Sequence, residues 1–388
     1  MLDDSAMRRL LGPLAALCLL AGSPHAAELT KPGYQARALD RQGKLAEAIP
    51  IYQARAEQTQ STSDRLRYAG ALLRAGKMPE ARQVYAGLMV EGASVYHGGD
   101  PVPSNVGVCA SSALLNGFPV LAVEYLRPAF RANPRDVGAG LLLVRSLLAA
   151  GDVDGAREVL RQLPKETGSL VIGQRIELAR AYFLAGDVDW ARRLLDEKIE
   201  ESVGQMMRES ILTNVDFKKA DWPKVASALA DAKRKVPSSV TESRVDRAWR
   251  NLQREMRSVL LRRAIALWNQ DKREDAVEEA SPAQEADEEY IRSGAILLVA
   301  AGKLADGRRD DAVARLKALA GHDVRFAEPV GKLEATLAKG GDPADALSGF
   351  ETVLSGEDRA QDFVTKPLLA VLAGAVKSGK PRVESAAR

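Results

Sequence analysis

A turn signal recurs along this chain in near-constant phase, and it constrains the fold more than any other feature. At nine places a glycine or aspartate is followed five residues later by an alanine. The turn residues are Gly43, Gly76, Gly117, Gly151, Gly186, Asp221, Asp271, Gly307 and Gly341. Most of them are about 34 residues apart, a period typical of stacked helical hairpins. The repeat therefore predicts a solenoid with an extended concave surface.

The fourth unit shows how one repeat is built. Apolar residues recur at three- and four-residue spacing on both sides of Gly151, which predicts two amphipathic helices. Gly151 suits the left-handed conformation that ends the first helix, and Asp152 can cap the second. The alanine at the fixed position, here Ala156, is small enough to let the second helix lie close to the first.

Small, aromatic and alanine positions recur at fixed offsets in the units, as in segments 43–49 and 186–191. The pattern resembles the tetratricopeptide repeat (TPR) family, whose unit is a helix–turn–helix of about 34 residues. The resemblance covers roughly residues 30–355 and is thin in units three, six and seven. It implies an all-α fold, an α-solenoid of about nine TPR-like repeats that forms a right-handed superhelix.

The chain divides into four predicted segments. They are a signal peptide (1–27), an N-terminal TPR array (28–236), a C-terminal TPR-like array with a long helix (237–359), and a capping helix with a tail (360–388). Glycine and proline in 91–106 predict an excursion loop. Residues 240–269 contain neither, which predicts one long helix or two in tandem.

The N-terminus has the layout of a secretory signal peptide. Arg8 and Arg9 precede an apolar run, 10–22, and small residues follow at 26–27. The run is shorter than the about 20 residues that a transmembrane helix needs. We therefore expect export to the periplasm and no transmembrane segment.

Two details of the N-terminus bear on processing. Asp3 and Asp4 are unusual in a basic leader, so Met7 competes with Met1 as the start. Cys18 follows Leu17 rather than a small residue, which argues against a lipoprotein.

Composition and the scarcity of reactive side chains argue against several functions. The net charge of +3 does not suggest a nucleic-acid partner. Beyond the leader the chain has one cysteine, Cys109, and two histidines, His97 and His322. Zinc sites usually need three or four ligands, so we expect no metal, no cofactor and no enzymatic activity. We expect both histidines to be solvated loop residues and Cys109 to be buried.

Four basic residues are predicted to line the groove. In the TPR fold the first helix of each unit faces inward, and the position eleven before the fixed alanine holds Arg37, Arg145 and Arg180. Lys218 lies one turn beyond the equivalent position of its own unit. Such a groove would suit an acidic partner or a peptide with a free carboxylate. The alternative is that these are ordinary solvated side chains.

A charge block in the second half permits two interpretations. Arg247, Arg250, Arg254 and Arg257 form one stripe on a helix, and an acidic block, 274–289, follows. Neighbouring helices of opposite charge could face each other, which would be modestly stabilising. Alternatively, the arginine stripe could dock on phospholipid head groups or an acidic partner.

The family resemblance implies a binding protein rather than a stand-alone enzyme. The first hypothesis is a periplasmic TPR scaffold or adaptor, with protein partners, that assembles an envelope machine such as a pilus, a secretion system or a polysaccharide exporter. The alternatives are a chaperone-like peptide binder and a non-catalytic accessory or regulatory subunit of a cell-envelope enzyme. Self-association also remains open, since four tryptophans could anchor an interface.

Overall fold

In a computed structural model of the protein, the described residues are 32–95, 104–163, 172–196, 202–234, 247–339 and 341–378. For 91–95, 104, 172–173, 196, 202–204 and 247–255 only the backbone is described. These residues form nineteen α-helices and three short 3₁₀ helices, and they include no strand.

Eighteen of the described helices pair into nine hairpins, one at each turn that the sequence predicts. The first five hairpins are α1–α2 (Pro32–Arg41, Leu45–Thr59), α3–α4 (Thr62–Arg74, Met78–Val95), α5–α6 (Ser104–Leu115, Pro119–Ala132), α7–α8 (Val137–Ala149, Val153–Gln162) and α9–α10 (Ile172–Leu184, Val188–Asp196). The other four are α11–α12 (Ser202–Lys218, Trp222–Arg234), α13–α14 (Arg247–Trp268, Arg273–Ala280), α15–α16 (Glu289–Ala305, Arg309–His322) and α17–α18 (Ala327–Lys339, Ala344–Glu357). The last helix is α19 (Asp362–Ser378). The predicted all-α solenoid of TPR-like hairpins is confirmed.

The hairpin turns have the chemistry that the sequence predicts. Gly151 has a φ of 83°, in the left-handed region where glycine carries no side-chain strain. The N–H of Asp152 donates to the carbonyl of Leu147 at 2.8 Å, closing a Schellman-type end on α7. The Asp152 carboxylate then accepts the N–H of Gly155 at 2.9 Å and caps α8.

The nine fixed alanines are all buried, with at most 9% of their surface exposed. A bulky residue one turn later is buried beside several of them, as Tyr52, Tyr85 and Phe350 illustrate. A small side chain followed by a large one lets the two helices of a hairpin approach and then interlock.

Several predicted features fall wholly or partly outside the described residues. These include the signal peptide and the residues around the predicted joint at 236–242. Of the predicted excursion loop, 96–103 lies outside, while α4 continues to Val95. In the other long interval, Arg247–Trp268 is one helix of 22 residues. The domain boundaries stay predictions.

The stack of hairpins returns on itself. Helix α16 contacts α1, and the 3₁₀ turn Arg359–Gln361 contacts α7. Helix α19 packs on α18, as a terminal helix should, but it also lies across α11, α13 and α15, the first helices of three successive hairpins. The C-terminal segment therefore fills part of the concave side.

The turn glycines mark where the two ends meet. A Cβ on Gly43 would lie 2.3 Å from the carbonyl oxygen of Ala318. The next three turn glycines face later residues of the same C-terminal segment in order: Gly76 faces Val324, Gly117 faces Arg325 and Glu357, and Gly151 faces Arg359. Four consecutive turns thus form one continuous seam with 318–359.

Candidate functional site

A cluster of buried charged side chains joins the first two hairpins to the eighth. Asp40 ends α1, and its Oδ2 accepts a hydrogen bond from Arg74 Nη2 at 2.6 Å. The ring of His322 lies between two carboxylates, with Nδ1 2.6 Å from Asp40 Oδ1 and Nε2 3.1 Å from Glu289 Oε2. Arg292 Nη1 donates to Glu289 Oε1 at 3.0 Å and also contacts His322 Nε2. We call these five residues the closure cluster.

Mutual charge stabilises the ionised forms in the closure cluster. Burial alone would raise the pKa of Glu289, but Arg292, His322 and Arg74 hold that pKa far below its usual range. Asp40 behaves in the same way, because Arg74 and His322 outweigh its burial and lower its pKa. For His322, burial and Arg74 lower the pKa, but the carboxylates of Glu289 and Asp40 raise it overall. The geometry therefore favours an imidazolium between two carboxylates.

A second buried group ties the third hairpin to the ninth. Arg325 donates from Nη1 to the carbonyl of Gly117 at 2.9 Å, at the end of α5. Its guanidinium also binds Asp323, with both carboxylate oxygens 3.0 Å from Nε, and Glu357 Oε1 at 3.1 Å. It lies over the ring of Phe118, 4.6 Å from the centroid. The Arg325 side chain thus pairs with carboxylates near the C-terminal hairpins and also donates to a backbone carbonyl at a turn of the N-terminal hairpins.

The prediction that His322 is a solvated loop residue is wrong. The residue ends α16 and is 3% exposed, because α16 packs against α1 and closes over the ring. His97 lies outside the described residues. The prediction for Cys109 is confirmed, since it is buried and its burial raises the pKa of the thiol to about 12.

Sequence reasoning missed the other members of these two groups. Arg74 follows an apolar run and precedes a turn, where a solvated arginine is equally common. The one available signal was Glu289 and Arg292, acid and base three residues apart at the start of an apolar helix.

The structure brings two of the four predicted groove residues together. Arg145 on α7 and Arg180 on α9 both line a cavity of about 100 Å³ on the concave side. Arg37 lies elsewhere, with its guanidinium 5.9 Å from the ring centroid of Tyr34, and its burial lowers its pKa. Lys218 lies between the rings of Phe183 and Phe363, 4.7 and 5.1 Å from their centroids.

The cavity is closed by the chain's own C-terminal segment. The same cavity is lined by the carboxyl groups of Glu357 and Asp358 and by Tyr290. The Tyr290 hydroxyl donates to the carbonyl of Gln361 at 3.2 Å, which fixes the 3₁₀ turn that precedes α19. Burial raises the pKa of Asp358 to about 7, although Arg145 opposes the shift. Part of the groove that the sequence predicts for an acidic partner is thus filled by acidic residues of this chain.

The arginine stripe can be placed only in part. Helix α13 carries all four residues, but the side chains of Arg247, Arg250 and Arg254 lie outside the described ones, and Arg257 is half-buried. In the acidic block, Glu279 Oε1 accepts from Lys233 at 3.2 Å, and Glu279 Oε2 pairs with Arg263. At this point acidic and basic helices do face each other.

The described part of the chain shows neither a metal cluster nor a membrane span. No group of three or more His, Cys, Asp or Glu in it has the geometry to hold a metal ion. Within the same residues, no helix is both long enough and apolar enough to cross a bilayer.

Stacked hairpins with left-handed glycine turns and buried small residues define a helical repeat protein, the class whose surfaces bind other proteins. Within it, the family model of the tetratricopeptide repeat matches residues 113–169. No curated protein sequence matches the chain significantly.

Among solved structures, the chain is similar to a human IFIT1 dimer with m7Gppp-AAAA. Identity is 13% and the TM-score 0.42, over 91% of this chain and 82% of that one. At this level of similarity nothing about ligands follows for this chain.

Proposed function

We propose that this protein is a periplasmic TPR scaffold that docks partner proteins during assembly of an envelope machine, such as a pilus, a secretion system or a polysaccharide exporter. The TPR hairpins support protein–protein interaction as the activity. The basic, apolar and small-residue order of residues 1–27 supports export. In this proposal the protein contributes binding surface and no catalytic group.

The closure of the array carries the scaffold proposal. The closure cluster and Arg325 join hairpins one to three to hairpins eight and nine, so the outer surface is held by contacts at both ends of the chain. A surface that is already ordered loses little conformational entropy when a partner binds. Such a surface suits stable docking of a folded partner.

The available surface is on the outer side. Helix α19 and the turn before it occupy the concave side, and eight residues of α19 are buried there. On the outer side, Arg82 on α4 pairs with Glu124 on α6 at 2.7 Å. Val120 on α6 and Val90 on α4 are 61% and 71% exposed. We assign docking to this outer face of α4 and α6, for a folded envelope protein with an apolar patch.

The occupied groove favours this scaffold over a chaperone-like peptide binder. An extended peptide would have to displace α19, which would expose Leu368 and Leu372 to water at a cost of about 2 kcal/mol for each side chain. A partner that carries a free carboxylate would likewise compete with Asp358 for Arg145. An accessory subunit of an enzyme could bind its partner through the same outer face. That alternative is distinguished by a change in the enzyme's rate when this protein is added.

The test is affinity purification from the native host after mild crosslinking, with wild type beside the double variant Val90→Lys and Val120→Lys. Tyr34→Lys is the control, because Tyr34 on α1 is an exposed large apolar side chain away from α4 and α6. Wild type and control should recover one stoichiometric envelope protein that the double variant loses. Equal recovery by all three contradicts the outer-face proposal. Weak recovery of many extended peptides supports the chaperone alternative.

Fractionation of the host cells tests the location. The mature protein should be in the periplasmic fraction, and deletion of residues 1–27 should retain it in the cytoplasm. Recovery of the full chain in the cytoplasm would contradict the envelope role and leave the binding activity standing.

A further inference from the structure

The lining of the cavity on the concave side combines arginine side chains with carboxyl groups. One part of the lining carries the guanidinium groups of Arg145 and Arg180, from two neighbouring hairpins. A second part of the lining carries the carboxyl groups of Glu357, at the end of α18, and Asp358, in the turn before α19. The two parts come from distant segments of the chain, so the cavity exists only because the array closes.

Apolar side chains share the rest of the lining with Ser258, Arg262, Glu288, Glu289 and Gln361. The apolar ones include Leu114, Leu184, Leu261 and Val364. A concave, mostly apolar lining with a few converging polar groups is the usual composition of a small-molecule site. The volume of about 100 Å³ would hold about three waters at about 30 Å³ each, or one molecule much smaller than a drug.

One carboxylate oxygen in this lining lacks a hydrogen-bond donor. Glu357 is 2% exposed, and its Oε1 accepts from Arg325 at 3.1 Å, but its Oε2 has no partner within the described residues. A buried acceptor without a donor costs about 1–3 kcal/mol. Burial, together with the nearby carboxylates of Asp323 and Glu289, raises the pKa of Glu357, although Arg325 opposes the shift. A ligand ammonium group could supply both the donor and the charge.

We propose that this cavity binds a small zwitterion of the α-amino-acid class. Its carboxylate would lie against Arg145 and Arg180, its ammonium group against Glu357 and Asp358, and a short apolar side chain against the leucines. Both arginines also interact with protein groups, so the ligand carboxylate shares them. The site is independent of the scaffold proposal, because amino-acid binding and partner capture are measured separately.

Isothermal titration calorimetry and thermal unfolding of the purified mature chain test the proposal. The probes are alanine and valine, with propionate as the anion alone and ethylamine as the cation alone. Alanine should raise the Tm in a dose-dependent way, because a ligand that binds only the folded state stabilises it. Propionate and ethylamine should bind about tenfold more weakly or worse, since each forfeits one set of charge-assisted hydrogen bonds.

Three variants complete the test. Arg145→Gln should weaken alanine binding about tenfold or more, while Arg161→Gln, on the exposed surface of α8, should leave it unchanged. Because Arg145→Gln could also disturb folding, Ala149→Val provides a second route, since Ala149 lines the cavity and two added methyl groups would take up much of its space. Ala149→Val should abolish the Tm shift and keep the helical circular dichroism spectrum.

Three results would overturn the proposal. The first is that neither amino acid binds at millimolar concentration, which would make this a water-filled cavity. The second is that propionate or ethylamine binds as tightly as alanine, which would show that only one set of charged groups is used. The third is that Ala149→Val folds and still binds alanine, which would place the ligand elsewhere.

Discussion

His322 Nδ1 lies 2.6 Å from Oδ1 of Asp40, although 282 residues separate the two along the chain. The contact joins the end of the eighth hairpin to the end of the first helix. Both side chains are buried, and the other ring nitrogen of His322, Nε2, lies beside the carboxylate of Glu289. A solenoid whose hairpins met only their sequence neighbours would have no such contact, so this pair identifies the array as closed.

Replacement of His322 by leucine should lower the free energy of unfolding by about 3 kcal/mol, because each of two buried carboxylates, Asp40 and Glu289, loses one of its partners. Urea unfolding followed by circular dichroism measures the effect. Lys317→Leu on the same helix is the control, since its pair with Glu334 is exposed and should contribute less than about 1 kcal/mol. Equal effects of the two substitutions would contradict a structural role for the closure cluster.

The contribution of His322 should depend on pH. Its pKa in the folded protein is raised above the usual value of about 6.5, so its stabilisation is fully present below that value. It is then lost as the pH rises through the folded pKa. The stability gap between wild type and His322→Gln should therefore shrink from mildly acidic to alkaline pH. Asp40 and Glu289, whose pKa values are lowered, titrate at much lower pH and do not produce this slope. A gap that is constant over this range would contradict a buried imidazolium.

Asp358 should make a separate contribution to the pH dependence. Its pKa is raised from 3.8 to about 7 in the folded state, so the folded protein holds a proton that the unfolded chain releases. Stability should therefore fall as the pH rises from about 4 towards 7. Asp358→Asn should flatten this part of the profile, with Asp154→Asn on the surface as the control. If the pH profile of stability is unchanged in Asp358→Asn, another titrating group causes the slope.

Two glycine substitutions separate backbone strain from the closure of the array. Gly43 and Gly307 both have a φ near +75°, but a Cβ on Gly43 would meet Ala318 whereas one on Gly307 would meet open space. Gly307→Ala should cost about 1–2 kcal/mol, from left-handed strain alone. Gly43→Ala should cost clearly more, because the seam must open. Equal costs in urea unfolding would mean that the turns do not pack on the C-terminal segment.

Arg325 should be the most sensitive residue of the second buried group. Arg325→Ala would leave Asp323 and Glu357 buried and unpaired, with an expected cost of about 3–5 kcal/mol. Glu357→Gln should cost much less, because the raised pKa of Glu357 shows that its charge is poorly compensated. A double-mutant cycle between the two positions measures their coupling. A coupling energy near zero would contradict the pairing.

Local features of the sequence were enough to predict the hairpins. Gly151 ends a helix because glycine tolerates a left-handed φ, and Asp152 starts the next because its carboxylate accepts a backbone N–H. Ala156 is buried because only a small residue fits between two close helices. These effects act within about one repeat, so they recur with the period. They can therefore be predicted from a single amino-acid sequence. They predicted nine hairpins, and the family resemblance then implied that Arg145 and Arg180 lie on inward-facing helices.

The tertiary structure decided what the inward-facing residues meet. The family resemblance implies that Arg145 faces the groove, but not that Asp358 lines the same cavity. In the sequence, His322 looks like a solvated residue at a helix end. Its burial depends on the path of the whole solenoid, which is the sum of small rotations between successive hairpins, and no single repeat encodes that sum. The sequence therefore determined the repeating unit, while closure, the buried charges and the cavity follow only from how all the units stack.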